Sequence, residues 1–208
     1  MADAGMETKK TVAGKTGVRR RVIIATGILL PLMAGLWFTW AGGLTSQHSL
    51  VPPMTGEMAV FDPFPAGRTA PEVLFTTAQG AEVTLADFSG DVLVVNFWAT
   101  WCAPCVAEMP SLNRLQEALG DQGVQVMPIS IDRGGMNAVV PFYNRLGLTA
   151  LPIYLDPFGR VPGAFEAIGL PTTVIIGRDG RWLGTLAGDA HWDSPEALAL
   201  VGYYAENS

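Results

Sequence analysis

Residues 91–119 read DVLVVNFWATWCAPCVAEMPSLNRLQEAL. The first eight, Asp91–Trp98, form an almost unbroken apolar run, as expected of a strand covered on both faces. From residue 103 the period changes. Val106, Met109, Leu112, Leu115 and Leu119 recur at helical spacing, and Gly120 stops the pattern. A buried strand that hands over directly to a helix is the unit from which α/β sheets are built. The only two cysteines of the chain, Cys102 and Cys105, stand at that handover.

The position has chemical consequences. Backbone N–H groups at a helix start lack partners and the helix dipole is positive there, so a thiolate is favoured over a thiol. Cys102 stands at the outer end and is expected to attack first, with the lower pKa. Cys105, one turn in, is placed to resolve a mixed disulfide. Pro104 sits in the first turn, where its missing N–H costs nothing. A bridge between residues this close in sequence closes almost no loop and does little for stability, so a redox role fits better than a structural staple. The competing readings are two buried hydrophobes, a zinc site and a copper site. Zinc wants four ligands and only His48 and His191 remain. Copper on two thiolates and one histidine or methionine stays open as the alternative function, a copper-binding chaperone.

Glu108 falls on the apolar face of the helix with Leu112, Leu115 and Leu119. If that face packs on the sheet, the carboxylate is desolvated and its pKa rises. It could then exchange a proton with the resolving sulfur. The alternative is that Pro110 kinks the helix and turns Glu108 outward.

Working outward, Val73–Thr77 and Glu82–Leu85 flank Gln79-Gly80 as a hairpin. Val124–Ile131 reads as a second buried strand, Met136–Leu146 as a helix containing Pro141, and Pro162–Ile168 as a short helix. Thr172–Ile176 and Trp182–Ala187 flank the turn signal Asp179-Gly180. Pro195–Tyr204 reads as a last helix with Ser194 as its N-cap. The expected fold class is α/β, a central mixed sheet flanked by helices on both faces. Pro171 directly precedes a central strand, where it cannot donate to a ladder. A cis bond there would leave a neighbouring backbone edge free for substrate; an ordinary trans proline at a strand start is the alternative.

The N-terminal third is different. Residues 1–21 carry Lys9, Lys10, Lys15 and Arg19–Arg21 against Asp3 and Glu7, although the whole chain has a net charge of −6. The remainder is therefore acidic, which argues against a nucleic-acid partner. Val22–Leu44 is uncharged for 23 residues, and roughly 20 suffice to span a bilayer. The arginine triplet before it predicts a cytoplasmic N-terminus, with everything after Leu44 outside. A cleaved signal peptide is the competing reading, but Thr39-Trp40-Ala41 is a poor cleavage site. The expected organisation is a basic cytoplasmic tail over 1–21, a transmembrane anchor over 22–44, a Pro/Gly-rich linker over 45–70 with room for a short ordered stretch near Phe61–Phe64, and one folded domain over 71–208.

Asn96-Phe-Trp-Ala-Thr-Trp-Cys102-Ala-Pro-Cys105, followed by Glu108-Met109-Pro110, resembles the TlpA/ResA/CcmG group of membrane-anchored bacterial thioredoxin-like proteins. Gly169-Leu-Pro-Thr-Thr173, Gly177-Arg-Asp-Gly180, Leu186-Ala-Gly188 and Ile131-Asp132 continue the likeness, which covers roughly residues 70–204. The resemblance implies a thioredoxin-like fold and a protein thiol–disulfide oxidoreductase. It implies a single-pass protein of the bacterial inner membrane whose catalytic domain faces the periplasm. Its partners would be a disulfide-containing protein substrate and a membrane thiol donor. The role implied is reducing, in cytochrome c maturation or copper-oxidase assembly. By residue, the nucleophile falls on Cys102, the resolving cysteine on Cys105, the buried glutamate on Glu108 and the cis-proline on Pro171. Trp101, Pro104, Leu170 and Pro171 would frame the substrate. No cofactor is expected beyond the Cys102–Cys105 disulfide itself. Thioredoxins carry a buried aspartate where this chain has Asn96, which cannot titrate. A peroxiredoxin-type peroxidase is disfavoured, because residues 91–101 hold no proline and Cys105 follows Cys102 too closely.

Overall fold

The computed structural model describes residues 52–208. The expected basic tail and membrane anchor lie outside the described residues. Among the described residues, no helix is long and apolar enough to cross a membrane. The strands are β1 (Asp62–Thr69), β2 (Phe75–Thr77), β3 (Glu82–Val83), β4 (Val92–Trp98), β5 (Val124–Ser130), β6 (Tyr154–Leu155), β7 (Thr172–Ile176) and β8 (Arg181–Ala187). The helices are α1 (Ala103–Leu119), α2 (Met136–Leu146), α3 (Arg160–Ala164) and α4 (Pro195–Asn207).

The strands form one sheet in the order β1-β8-β7-β4-β5-β6-β2-β3. β4 lies at its centre, parallel to β5 and antiparallel to β7. Every residue of β4 is buried, which is why its sequence runs apolar without alternation. Its side chains still alternate between two cores. Val92, Val94 and Trp98 join the apolar faces of α1, α2 and α4, including Met109, Leu112, Phe142 and Leu200. Leu93, Val95 and Phe97 join Val161, Phe165, Val174 and Trp182 on the other side. Asn96 has the parity of Val94 and Trp98, so it points toward α1.

The folded part begins earlier than residue 71, correcting the linker expected over 45–70. Gly56–Val60 forms a 3-10 helix that buries Met58 completely, and β1 pairs with β8. Pro63 and Pro65 suggest a linker, but β1 is an edge strand and needs partners on one side only. The pairing is irregular between Pro63 and Arg68, and Phe64 stacks edge-on against Trp182 at 5.0 Å. The short helix expected over Pro162–Ile168 lies instead at Arg160–Ala164. Soon after it Glu166 adopts φ 57, a left-handed conformation that a helix cannot continue through. The two-residue strand β6 has no counterpart in the sequence reading.

Candidate active site

Cys102 is the N-cap of α1, with extended backbone at φ −88 and ψ 103. Its sulfur accepts a hydrogen bond from the Cys105 N–H at 3.3 Å, one of the otherwise unpartnered donors of a helix start. Pro104 occupies the first turn, and the two cysteines are joined in a disulfide. Cys102 is 7 % exposed and Cys105 is fully buried. Of the two residues, only Cys102 has any solvent exposure. Trp101 beside it is 68 % exposed.

The loop before Cys102 is clamped from β5. Asp132, just beyond that strand, accepts the Thr100 N–H at 2.8 Å and the Thr100 hydroxyl at 2.7 Å. The Ser130 hydroxyl adds a third bond at 2.8 Å. Trp98 O accepts the Ile131 N–H at 3.0 Å. Trp101 and Cys102 thus leave a fixed point in the sheet rather than a free loop.

Glu108 lies on the buried face of α1 and is 3 % exposed, so Pro110 does not turn it to solvent. Its Oε1 accepts the Asn96 amide at 2.8 Å. Its Oε2 accepts Trp192 Nε1–H at 3.0 Å and the Ala190 N–H at 3.3 Å. Burial pushes its pKa from 4.5 up to about 7. The bonds from Asn96, Trp192 and Ala190 oppose that rise, and the charge of Asp189 adds to it. At neutral pH the group can both hold and release a proton, one helical turn beyond Cys105. Asn96 also donates to the Thr173 hydroxyl at 2.9 Å, and its own Oδ1 is buried without a partner among the described residues.

The Leu170–Pro171 bond is cis. β7 pairs with β4 so that Thr172 faces Phe97; continuing that register places Pro171 opposite Trp98, at the strand end from which the cysteine loop departs. Pro171 is buried, its carbonyl accepts the Gly188 N–H at 2.9 Å, and Leu170 is half-buried against the core that contains both cysteines. Trp101 and Pro104 on one side and Leu170 and Pro171 on the other therefore belong to the same end of the sheet.

Trp192, Ala190, Thr173 and the clamping role of Asp132 were not legible as site features. Trp192 is 84 positions from Glu108, and no local pattern signals such a contact. His191 lies between the two donors to Glu108, but its own ring faces Glu57 at 2.9 Å.

The AhpC/TSA family profile matches residues 66–181. The thiol-disulfide oxidoreductase ResA of Geobacillus thermodenitrificans is 32 % identical over 163 residues, covering 78 % of this chain and 85 % of that protein. ResA of Bacillus subtilis is 28 % identical over 170 residues, 82 % and 87 % of the respective chains. Among solved structures, a protein of Chlorobium tepidum described as a thiol:disulfide interchange protein DsbE superposes with a TM-score of 0.58 at 28 % identity, covering 65 % of this chain and 97 % of that one.

Proposed function

Since this chain belongs to the AhpC/TSA family, and within it to the TlpA/ResA/CcmG group of thioredoxin-fold thiol–disulfide oxidoreductases, we propose that it is a reductant of partner protein disulfides. In the reduced protein, the Cys102 thiolate attacks one sulfur of the partner's disulfide. A mixed disulfide forms and the partner's other sulfur leaves as a thiolate. The Cys105 thiol then loses its proton and attacks Cys102, which releases the second partner thiol and leaves the Cys102–Cys105 disulfide. Two electrons have passed to the partner. Exposure supports this order, because Cys102 is the residue of the two with any exposure and Cys105 is enclosed.

The observation that carries the direction is Glu108, a buried carboxyl with a pKa near 7 on the same helix as the sulfurs. Its negative charge disfavours a nearby thiolate. Oxidants of the DsbA kind depend on a very stable reduced form, so a destabilised thiolate makes the disulfide harder to reduce. The expected potential lies toward thioredoxin, roughly −270 mV, and well below about −120 mV. Glu108 is also the group placed to take the Cys105 proton during resolution.

The uncharged run Val22–Leu44 behind Arg19–Arg21 supports a single-pass anchor in the bacterial inner membrane, with the catalytic domain in the periplasm. A reductant there needs electrons from across the membrane, so a membrane-embedded thiol donor is the second partner. The substrates of this reading are disulfide-bearing proteins of cytochrome c maturation or copper-oxidase assembly.

The test is trapping. Cys105→Ser cannot resolve its mixed disulfide, so it should accumulate covalently with its partner, while Cys102→Ser should trap nothing. A measured potential near the DsbA value would overturn the reductant assignment. Stoichiometric copper lost in the double Cys→Ser variant, without disulfide reductase activity, would favour a copper chaperone instead.

A further inference from the structure

Large apolar side chains are rarely left in water without a use when they cluster beside a reactive group. Trp101, 68 % exposed, and Phe158, 79 % exposed, face a groove of about 1080 Å³ that Ile131, Arg133 and Pro157 also line. One end of that groove is Trp101, the neighbour of Cys102.

The groove walls are held in place. Thr100 is clamped by Asp132. The Asp156 N–H donates to Ser130 O at 2.7 Å, and the Asp156 carboxylate accepts the Val161 N–H at 2.7 Å, so the segment carrying Phe158 is fixed at both ends. Such a surface binds without first having to be ordered.

The groove also has a sign. Its acid, Asp132, is 4 % exposed and turned inward to three donors, and Asp156 is 1 % exposed. Arg133, which lines the groove, is exposed; Arg160, also exposed, stands beside the groove with its guanidinium 5.4 Å from the Phe158 ring centroid. Neither arginine has an ion-pair partner among the described residues. In a chain of net charge −6, the groove therefore presents apolar walls and unpaired positive charge. It opens on the β5–β6 side of β4, whereas Pro171 lies on the β7 side. A segment crossing the disulfide from Pro171 would run into it.

We propose that this groove docks the partner segment next to the target cysteine, and that the segment carries a large apolar side chain together with carboxylates. This rests on the reading of Cys102 and Cys105 as a reductant pair, and it names the class of disulfide that the pair prefers. The apolar side chain seats between Trp101 and Phe158, and the carboxylates meet Arg133.

Three peptides test it. They share one intramolecular disulfide and differ only in the flanking tripeptide: Phe-Glu-Glu, Phe-Lys-Lys or Ser-Glu-Glu. The full chain, reduced and held in detergent micelles, is mixed with each in a single turnover. Every event oxidises the Cys102/Cys105 dithiol to its disulfide and reduces the peptide disulfide to two thiols. The Phe-Glu-Glu peptide is expected to react about tenfold faster than either other peptide at low salt. Its advantage over Phe-Lys-Lys should shrink to below about threefold at about 0.5 M salt, because these charges are exposed to screening. Arg133→Glu should invert the Glu/Lys preference, a ratio that a general loss of activity does not move. Equal rates for the three peptides, or a preference unchanged by Arg133→Glu, overturns the groove while leaving the reductant reading standing. Failure to reduce any of them overturns both. A groove seating a second copy would show as a dimer dispersed by Arg133→Glu, with no peptide preference, and would also overturn the proposal.

Discussion

Glu108 stands in an apolar wall with three N–H donors around it, and its proton is the most sensitive reporter of the site. Its pKa of about 7 lies above the ordinary 4.5. A carboxyl raised in this way holds its proton more tightly when folded. The ionisation penalty is absent below 4.5, grows as pH rises to about 7 and is fully developed above that. A shift of that size corresponds to roughly 3 kcal/mol. The stability of the oxidised protein should therefore fall across this window, and Glu108→Gln should remove that part of the slope. Urea midpoints measured from pH 4.5 to 8 decide it; parallel curves for the two proteins would show that Glu108 does not titrate there. In the reduced protein, Glu108→Gln should lower the thiol pKa read from alkylation rates and slow reduction of a partner disulfide. Unchanged thiol pKa and turnover in a folded variant would remove Glu108 from the mechanism. Alkylation should also modify Cys102 before Cys105, since Cys105 is enclosed.

At the scale of elements, close approach and caps decide which segments join the sheet. A Cβ on Gly184 of β8 would run into the Phe61 ring and come within 2.7 Å of Asp62 O. That space lets the chain entering β1 lie directly on β8. Gly184→Ala should cost about 1–3 kcal/mol, as overpacking does, and should speed amide hydrogen exchange in β1 more than in β4. Uniform exchange across both strands would show that β1 is not held by this contact. Helix α4 depends on Ser194, whose hydroxyl accepts the Ala197 N–H at 3.2 Å. Ser194→Ala should lower stability by about 1 kcal/mol in a denaturant titration. The loss should leave disulfide reactivity in place, because the capping contact lies outside the donors to Glu108.

For the whole molecule, the segment before residue 71 is part of the fold. A chain shortened to begin at residue 71 loses the buried Met58 and Phe61, strips β1 from β8 and exposes a strand edge open to pairing with other chains. It also removes Glu57, which holds the backbone and ring of His191 between the two residues that bind Glu108. Such a chain should be less stable and prone to aggregate, whereas one beginning at residue 52 should fold. Equal thermal stability of the two would show that the N-terminal segment is an accessory.

The sequence by itself determined the central β4-α1 unit, its neighbours β5 and β7, the hairpin to β8 and the place of both cysteines. These features rest on short-range periodicity, turn residues and capping, all written locally in the chain. The apolar register of α1 also contained the burial of Glu108, since a residue on the packed face of a helix goes where that face goes. Only the tertiary structure decided that β1 is a strand: a proline-rich segment reads as a linker until an edge partner supplies its hydrogen bonds. It decided equally that Trp192 and Ala190 hold Glu108, that Asp132 clamps Thr100 and that Phe158 shares a groove with Trp101. Each of these pairs is separated in sequence by a crossover or a turn, and no local pattern carries the geometry of chain closure over such a distance.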